Sequence, residues 1–429
     1  MRVVIAAAGS VMSRLALAFA LLAIVSTPAA SAAAVVKYKV LYDFAGGSDG
    51  GGLFAAVTVD AEGNLYGMTS GGGTYGQGTV FKLTRSAGGK WTERVLHSFY
   101  YRKDGNGPMG NLILDAAGNL YGVVGSGGPN GAGTAFELSP SRNGTWVETK
   151  LYSFCSATQC TDGSGPTAGL IQDTAGNLYG TTQGGGKYGV GGVFELTPVS
   201  DGWTESVLYS FCFNVNPCTD GDDPYAGVSW DSAGNLYGTT KYGGKSSPDY
   251  GTAFEMKHKQ DGTWQHRLLH SFPAFPRDGR LPYAGLAVDK SGSLYGATLQ
   301  GGGSGCETGC GTVFKLTHNP VAGWKESVLY RFPQPEDGAG PASTLTLDQA
   351  GDLYGTASGG TGCNGGCGVV FKLTPGSNGK WQYSVVHKFN GQDGAYPNGS
   401  VIVDSKGNLY GTTELGGTGG YGVVFEITP

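Results

Sequence analysis

Short runs of alternating apolar and polar residues recur along the chain, and glycine-rich segments separate them. One run is Val193-Phe-Glu-Leu-Thr197, and another is Trp203-Thr-Glu-Ser-Val207. Alternation with a period of two is typical of half-buried β-strands, and no stretch after residue 32 shows sustained helical periodicity. The pattern therefore predicts an all-β chain of short strands joined by tight turns.

The predicted strands are organised around one repeated stretch, which in its third copy reads Asp173-Thr-Ala-Gly-Asn-Leu-Tyr-Gly-Thr-Thr182. Its copies follow one another at intervals of 55, 58, 58, 58, 59 and 56 residues, beginning at Asp60, Asp115, Asp173, Asp231, Asp289, Asp348 and Asp404. Every copy has glycine at the fourth position, which suits a tight hairpin turn better than a catalytic motif present seven times. Four strand-like segments per repeat of about 57 residues predict the blades of a β-propeller.

The two ends of the chain indicate how the ring closes. Residues 35–44 match the fourth segment of each repeat, whereas residues 422–428 match the third. Because pairing them removes an open sheet edge, we predict an all-β, seven-bladed β-propeller with four antiparallel strands per blade, closed by the N-terminal strand pairing with the C-terminal blade. In the third blade we expect strands at residues 168–172, 177–182, 192–197 and 203–211.

Residues 1–32 are predicted to be a signal peptide, and residues 33–429 a single seven-bladed propeller domain. Arg2 and Arg14 are the only charges in the first segment, and a short apolar run from Leu15 to Val25 follows. This run is too short for a membrane span, so we expect no membrane insertion after removal of the signal. Without the two arginines the formal net charge changes from −5 to −7, which disfavours nucleic acid as a partner.

Loop length varies on one face of the predicted ring, where loops join strand two to strand three and strand four to the next blade. We call this the elaborated face. Eight cysteines fall in these loops as four local pairs, which in an exported protein predict disulfides: Cys155–Cys160, Cys212–Cys218, Cys306–Cys310 and Cys363–Cys367. A zinc site is the alternative, but these loops contain no histidine. His97, His270 and His387 replace tyrosine in fourth strands, and we expect the elaborated face to hold no histidine base.

The elaborated face also holds the candidate ligand-binding residues. An Asp-Gly pair lies before each hairpin aspartate, and its own aspartate is 11 positions earlier in the chain. These aspartates are Asp49, Asp104, Asp162, Asp220, Asp278, Asp337 and Asp393. These aspartates are either local turn residues or a ring of carboxylates that binds calcium or polyols. No catalytic residue and no cofactor is predicted, with calcium left open. Since tyrosine rings stack on sugars, the predicted ligand-binding set is Tyr225, Tyr283, Asp220, Asp222, Asp278 and Tyr396.

One position inside this fixed frame differs from blade to blade. It is occupied in turn by Phe54, Met109, Thr167, Tyr225, Tyr283, Ala342 and Asn398. A residue needed only for the fold should look alike in seven equivalent settings, as the hairpin glycines do. The variation indicates either an asymmetric ligand site at the start of the first strands or drift at a tolerant surface position.

The repeated Asp173–Thr182 stretch, followed by strands such as Gly311-Thr-Val-Phe-Lys-Leu-Thr317 and Val207-Leu-Tyr-Ser-Phe211, resembles the GloVer-type tandem-repeat family of exported bacterial proteins. The resemblance covers residues 36–429, and the hairpin alone is also similar to NHL-type propellers. The family supplies no activity to transfer. Its members often carry a C-terminal cell-surface anchor, whereas this chain stops at Pro429, so we expect a secreted or periplasmic protein, present as a monomer.

Three functions stay open on the sequence. The leading one is a non-enzymatic binding module for a glycan or a protein surface. The second is an extracellular polysaccharide lyase or hydrolase that uses carboxylates such as Asp220, Asp222 or Asp278. The third is a structural envelope or matrix protein. The predicted fold does not choose among them, because propellers host many functions.

Overall fold

The computed structural model describes residues 36–213, 217–245, 250–273, 278–303, 305–360, 363, 366–377 and 379–428. Within these ranges the chain forms seven antiparallel sheets of four strands. The predicted signal peptide, residues 1–32, lies outside the described residues. In the part of the chain that is described, no helix is long and apolar enough to span a bilayer.

In chain order the strands are β1 (Lys37–Asp43), β2 (Thr58–Val59), β3 (Leu65–Thr69), β4 (Thr79–Arg85), β5 (Trp91–Ser98), β6 (Ile113–Leu114), β7 (Leu120–Val124), β8 (Thr134–Pro140), β9 (Trp146–Ser153), β10 (Ile171–Gln172), β11 (Leu178–Thr182), β12 (Gly192–Val199), β13 (Gly202–Ser210), β14 (Ser229–Trp230), β15 (Leu236–Thr240), β16 (Thr252–His258), β17 (Trp264–Ser271), β18 (Gly279–Arg280), β19 (Ala287–Val288), β20 (Leu294–Thr298), β21 (Gln300–Gly301), β22 (Thr312–Asn319), β23 (Gly323–Arg331), β24 (Thr346–Leu347), β25 (Leu353–Ala357), β26 (Val369–Pro375), β27 (Trp381–Lys388), β28 (Ile402–Val403), β29 (Leu409–Thr412) and β30 (Val423–Thr428). Two short 3-10 helices lie at Thr158–Cys160 and Pro335–Asp337.

The strands group into seven blades. Blades 1 to 4 contain β2–β5, β6–β9, β10–β13 and β14–β17, and blade 6 contains β24–β27. Blade 5 contains β19, β20, β22 and β23, while β18 and β21 form a separate two-stranded ribbon. Blade 7 combines β28, β29 and β30 with β1 from the start of the chain. The predicted propeller is confirmed.

The ring closes between the two ends of the chain, as predicted. β1 pairs antiparallel with β30, from Lys37 opposite Thr428 to Asp43 opposite Val423. Blade 7 also contacts blade 1, because the buried Thr412 hydroxyl donates to the Ala55 carbonyl at 2.7 Å. Both sides of the last blade therefore have partners.

The hairpin between strands one and two explains why its sequence repeats. In blade 3, Asp173 Oδ1 accepts hydrogen bonds from the amides of Ala175 and Asn177, both at 2.8 Å. Its other oxygen accepts from Asn177 Nδ2 and from the Tyr179 hydroxyl. Gly176 has φ +91°, a left-handed conformation that a side chain would strain. The bonds to the two amides and to the tyrosine recur in the hairpins of all seven blades.

The hydrophobic core lies at the seams between blades. The phenylalanine of each third strand packs edge-on against the phenylalanine that follows the preceding fourth strand, as Phe254 does against Phe211 with ring centroids 5.0 Å apart. Tryptophans that open fourth strands cover the seams, as Trp264 does by packing against Tyr179 of blade 3. This packing is equivalent from blade to blade, so it fixes the ring without distinguishing its members.

The first strands are shorter than predicted. In blade 3 only Ile171–Gln172 pairs with strand two, although we expected residues 168–172. Further along the same two segments, Ser164 pairs with Gly184. In the first segment Ile171 lies seven positions after Ser164, whereas in the second Gly184 lies only five positions after Tyr179. The two extra residues make the chain bow away from strand two, as a bulge does. Blade 4 has the same geometry between Asp222 and Ser229.

Candidate functional site

The bowed segments of all seven blades surround a central cavity of about 1070 Å³. The position that differs from blade to blade lines this cavity in every case, as Phe54, Met109, Thr167, Tyr225, Tyr283, Ala342 and Asn398. Positions up to 344 residues apart in the sequence therefore meet at one place. The rigid ring brings them together, and the surface they form is asymmetric because the side chains differ.

The backbone that leads into each variable residue is left-handed. Two residues before it, φ is positive in every blade: Gly52, Gly107, Gly165, Asp223, Leu281, Gly340 and Tyr396. Glycine adopts this conformation without strain, and aspartate tolerates it, but leucine and tyrosine do so at a cost. Leu281 at φ +55° lines the cavity, so blade 5 accepts strained backbone next to the candidate site. Such strain occurs preferentially at functional positions.

Two of the predicted ligand-binding residues form the most prominent aromatic contact in the cavity. The rings of Tyr225 and Tyr283 have centroids 3.9 Å apart and planes inclined by 38°. Burial, followed by the hydrogen bond with Tyr225, raises the pKa of Tyr283 above its usual value. The Tyr283 phenol is therefore protonated at neutral pH and can take part in hydrogen bonds.

A lysine that sequence reasoning missed completes this side of the cavity. Lys241 Nζ lies 4.8 Å from the ring centroid of Tyr242, 5.1 Å from that of Tyr283 and 5.9 Å from that of Tyr225. It also lies 3.8 Å from Asp223 Oδ2. Burial raises the pKa of Asp223 and the nearby ammonium partly offsets that rise. Lysine here therefore sits in a partly aromatic and partly acidic environment.

A signal for this lysine was present in the sequence. The third residue after each Leu-Tyr-Gly also differs from blade to blade: Ser70, Gly125, Gln183, Lys241, Leu299, Ser358 and Glu414. Its backbone is tied to the left-handed residue of the bowed segment, as when the Lys241 amide donates to the Asp223 carbonyl at 2.9 Å. A second variable position thus flanks the first.

Blade 7 presents a different chemistry to the cavity. Asn398 lines it and donates from Nδ2 to Glu414 Oε2 at 2.7 Å. Burial raises the pKa of Glu414, and the bond from Asn398 opposes the rise. The carboxylate fixes one hydrogen-bonding end of the amide. Blade 4 therefore contributes a cation to the cavity, whereas blade 7 contributes a neutral amide.

The aspartates of the Asp-Gly pairs belong to the loops and not to the cavity lining. Asp220 Oδ2 accepts from the Tyr209 hydroxyl at 2.6 Å and from the Phe213 amide at 3.2 Å. Asp278 Oδ2 lies 3.3 Å from His270 Nε2. These contacts match the interpretation as local turn residues. Among the described residues there is no group of three or more His, Cys, Asp or Glu side chains placed to hold a metal ion.

The other two predicted ligand-binding residues also lie outside the cavity lining. The backbone of Asp222 pairs with that of Tyr242 through two hydrogen bonds of 3.0 Å. The Tyr396 amide donates to the Cys367 carbonyl at 2.9 Å, and its half-buried ring packs against the hydrophobic cluster between blades 6 and 7. Of the six predicted residues, the structure brings only Tyr225 and Tyr283 to the cavity.

We expected no histidine base on the elaborated face, but histidine rings do reach that face. His97 Nε2 lies 2.8 Å from Asp104 Oδ2, and His387 Nε2 lies 3.1 Å from Asp393 Oδ2. The fourth strand carries these rings to the end at which the Asp-Gly loop begins, so imidazole reaches the carboxylate. Tyrosine makes the same contact in other blades, for example Tyr152 to Asp162 at 2.8 Å. The histidines therefore fill a structural position.

The predicted disulfides are confirmed. All eight cysteines pair with their nearest neighbour in sequence, as Cys155–Cys160, Cys212–Cys218, Cys306–Cys310 and Cys363–Cys367. Each closes a short loop on the elaborated face. Structural disulfides persist in oxidising compartments.

The Gly51–Gly71 bridge joins the two types of loop in blade 1, so both types lie on one face.

Solved structures with low sequence identity resemble the chain. Polysaccharide lyase Uly1 is 10% identical, with 87% of this chain and 89% of that chain covered and a TM-score of 0.49. An oxidoreductase from Thermus thermophilus, described as a glucose dehydrogenase, is 15% identical, with 92% of this chain and 100% of that chain covered and a TM-score of 0.40. A further glucose dehydrogenase is 12% identical, with 92% and 99% covered and a TM-score of 0.42.

A search of curated proteins found no match to the chain. A family model, by contrast, matches three overlapping parts of it, at residues 29–161, 147–308 and 246–429. These matches span every blade, so the repeat that builds the ring is the feature that defines the family. The chain belongs to the Gloeobacter/Verrucomicrobia repeat family.

Proposed function

We propose that this protein is an exported, non-enzymatic binding module that takes a glycan in its central cavity. One observation carries the proposal: the seven variable residues of an otherwise repeated frame all line that cavity. The ring brings these equivalent positions to one concave surface, and a concave surface with varied side chains is what an asymmetric ligand site requires. The four disulfides support an exterior or periplasmic location, because such bonds are stable there.

The shape of the cavity favours a glycan over a protein surface. Its volume of about 1070 Å³ is close to the upper end of the usual range for small-molecule sites. A stable protein partner would instead need roughly 800 Å² of accessible surface on each side. The Tyr225–Tyr283 pair offers ring faces for a sugar, and Asn398 and Ser358 in the lining offer hydrogen-bonding groups.

Binding is better supported than catalysis. Among the described residues that line the cavity there is no Asp, Glu or His. Glycoside hydrolysis ordinarily needs two carboxyl groups that flank the scissile bond. Asp220, Asp222 and Asp278 are the carboxylates considered for a lyase or hydrolase, and none of them lines the cavity. A purely structural role predicts no preferred ligand at all.

A glycan array with two matched double variants tests the proposal. Tyr225→Ala/Tyr283→Ala removes the aromatic pair of the cavity. Tyr75→Ala/Tyr100→Ala removes an exposed pair with centroids 5.2 Å apart that lies outside the cavity lining. Two stacking rings should be worth at least about tenfold in Kd. We expect the first variant to lose at least that much affinity for any glycan bound by the wild type, and the second to bind normally, with similar melting temperatures for both.

Three results would contradict the proposal. The first is an array on which the wild-type protein binds nothing, which would favour a protein partner or a structural role. The second is release of reducing or unsaturated ends when the wild-type protein is incubated with polysaccharides, which would make it an enzyme. Normal binding by Tyr225→Ala/Tyr283→Ala would move the site elsewhere on the molecule.

A further inference from the structure

Lys241 carries the only formal charge among the described residues that line the cavity. The rest of the described lining consists of apolar, hydroxyl, amide and glycine residues. A single ammonium in a concave and otherwise neutral surface is an electrostatic feature that a neutral ligand does not need. It costs desolvation, so its presence requires a reason.

The repeated backbone does not require lysine at this position. The same position in other blades is held by serine, glycine, glutamine, leucine or glutamate, and the backbone bond made there does not depend on the side chain. The residue type at the neighbouring left-handed position also varies among the blades. Glycine fills this position in four blades, whereas Asp223, Leu281 and Tyr396 occupy it in blades 4, 5 and 7. Two of these three residues, Asp223 and Leu281, belong to the neighbouring blades that carry Tyr225 and Tyr283.

The Lys241 ammonium contacts a carboxylate and aromatic rings but keeps hydrogen-bonding capacity for a further acceptor. Asp223 Oδ2 is 3.8 Å away, beyond the usual range of a direct N–H···O bond, and three tyrosine rings approach the cation. An ammonium has three donors, so an additional acceptor can be accommodated. Its side chain retains about a fifth of its accessible surface, which leaves a path for contact from the cavity.

We infer that Lys241 binds the carboxylate of an acidic sugar residue, so that the cavity selects uronate-containing glycans over neutral ones. The inference rests on the proposed function and specifies its ligand. The sugar ring would stack on the Tyr225–Tyr283 pair while its carboxylate accepts hydrogen bonds from Lys241 Nζ. Hydrogen bonds to charged groups are strong enough to give a preference of about tenfold or more over a ligand without the carboxylate.

Calorimetric titration with paired oligosaccharides tests the inference. The probes are 1,4-linked hexamers of galacturonate, glucuronate and mannuronate, each with its carboxyl-reduced counterpart. We expect at least one acidic hexamer to bind at least about tenfold more tightly than its reduced form, with the difference shrinking as salt is raised. Lys241→Met should abolish the difference. Lys187→Met is the matched control, because Lys187 Nζ also lies over a tyrosine ring, at 5.3 Å, but outside the cavity lining.

The outcomes separate this inference from the proposed function. Equal binding of acidic and reduced hexamers, lost in Tyr225→Ala/Tyr283→Ala, would overturn the role of Lys241 and leave glycan binding intact. A preference for acidic hexamers that survives Lys241→Met, or that Lys187→Met also abolishes, would likewise overturn it. Binding of neither kind of hexamer, with a glycan array that is also blank, would overturn both.

Discussion

The two ends of the first strands differ in what they preserve. At one end, seven hairpins use aspartate and glycine at the same positions, and the same bonds to two amides and a tyrosine recur. At the other end, the segments that lead into the strands bow toward the cavity and place side chains of six residue types there in seven blades. The distance between these ends is only a few residues in each blade. In each blade, the residues that hold the backbone are therefore separate from the residues at the position that varies.

The elaborated face contains both kinds of residue. Its Asp-Gly aspartates make local bonds to the fourth strand, as Asp162 does with Tyr152, and they belong with the hairpin residues. Tyr225 and Lys241 lie on the same face but make their contacts in the cavity. Position on a face is therefore a weaker guide to function than the direction of the side chain.

The largest effect should come from opening the ring. Deleting residues 33–44 removes β1 and exposes the edge of Val423–Thr428, whose apolar residues lie in the core of blade 7. Exposed edges of this kind recruit other chains. We expect aggregation or loss of the cooperative melting transition, measured by size-exclusion chromatography and circular dichroism. Deleting only residues 33–36, which precede β1, is the control. A soluble 33–44 deletion with an unchanged melting temperature would contradict closure by β1.

A smaller effect on the free energy of unfolding should distinguish the hairpin end of a first strand from its cavity end. Asp173→Ala removes the acceptor of four hydrogen bonds in the blade 3 hairpin, and we expect it to lower the free energy of unfolding by about 2–3 kcal/mol. Thr167→Ala, in the cavity lining of the same blade, should change it by less than about 0.5 kcal/mol. Denaturation in urea measures both. Equal losses would mean that the cavity residues also hold the fold.

The smallest effect concerns acidic residues at the seams. Burial, reinforced by a nearby Asp-Gly aspartate, raises the pKa of Glu93, Glu205 and Glu326 to about 7. A raised pKa favours the folded state at low pH, and this contribution is lost as the pH rises from about 4.5 through 7. His266 and His387 act in the opposite sense, because burial lowers their pKa values.

The glutamate contribution is isolated by comparing the wild type with the triple variant Glu93→Gln/Glu205→Gln/Glu326→Gln. Glutamine cannot ionise, so the variant avoids the cost of charging these positions. Since solvent screens half-buried groups, we expect its melting temperature to exceed that of the wild type by about 2–4 °C at pH 8 and to match it near pH 5. A difference that does not change between pH 5 and pH 8 would mean that these glutamates do not titrate in this range.

Much of the fold follows from the sequence because repetition turns weak local signals into strong ones. One Asp-x-x-Gly-Asn turn is ambiguous, but seven at nearly equal spacing, with the missing strand of the last blade at the start of the chain, leave little choice. The limits of the first strands could not be predicted in this way. They depend on a bulge of two extra residues that lies between two paired positions, which in blade 3 are Ser164 and Ile171. Pairing is a property of the folded chain.

The candidate site was only partly predictable for a similar reason. The variation at Tyr225 and Tyr283 is visible in the sequence, and their contact follows because blades 4 and 5 are neighbours. Lys241 was overlooked because its relevance depends on the bowed segment placing Asp223 and Tyr225 beside it. The direction of Asp220, toward Tyr209 and away from the cavity, was likewise set by the path of the loop. Composition and spacing do not contain that path.

The pairing of β1 with β30 also sets the order in which the molecule can be completed. Blades 1 to 6 are each contiguous in the chain, so each can form once its own segment has been synthesised. Blade 7 cannot, because its outermost strand is made first and its remaining strands are made last. Until Val423–Thr428 appears, β1 has no partner in its blade, and the nascent ring stays open at both ends. Closure of the ring therefore has to wait until β30 has been synthesised.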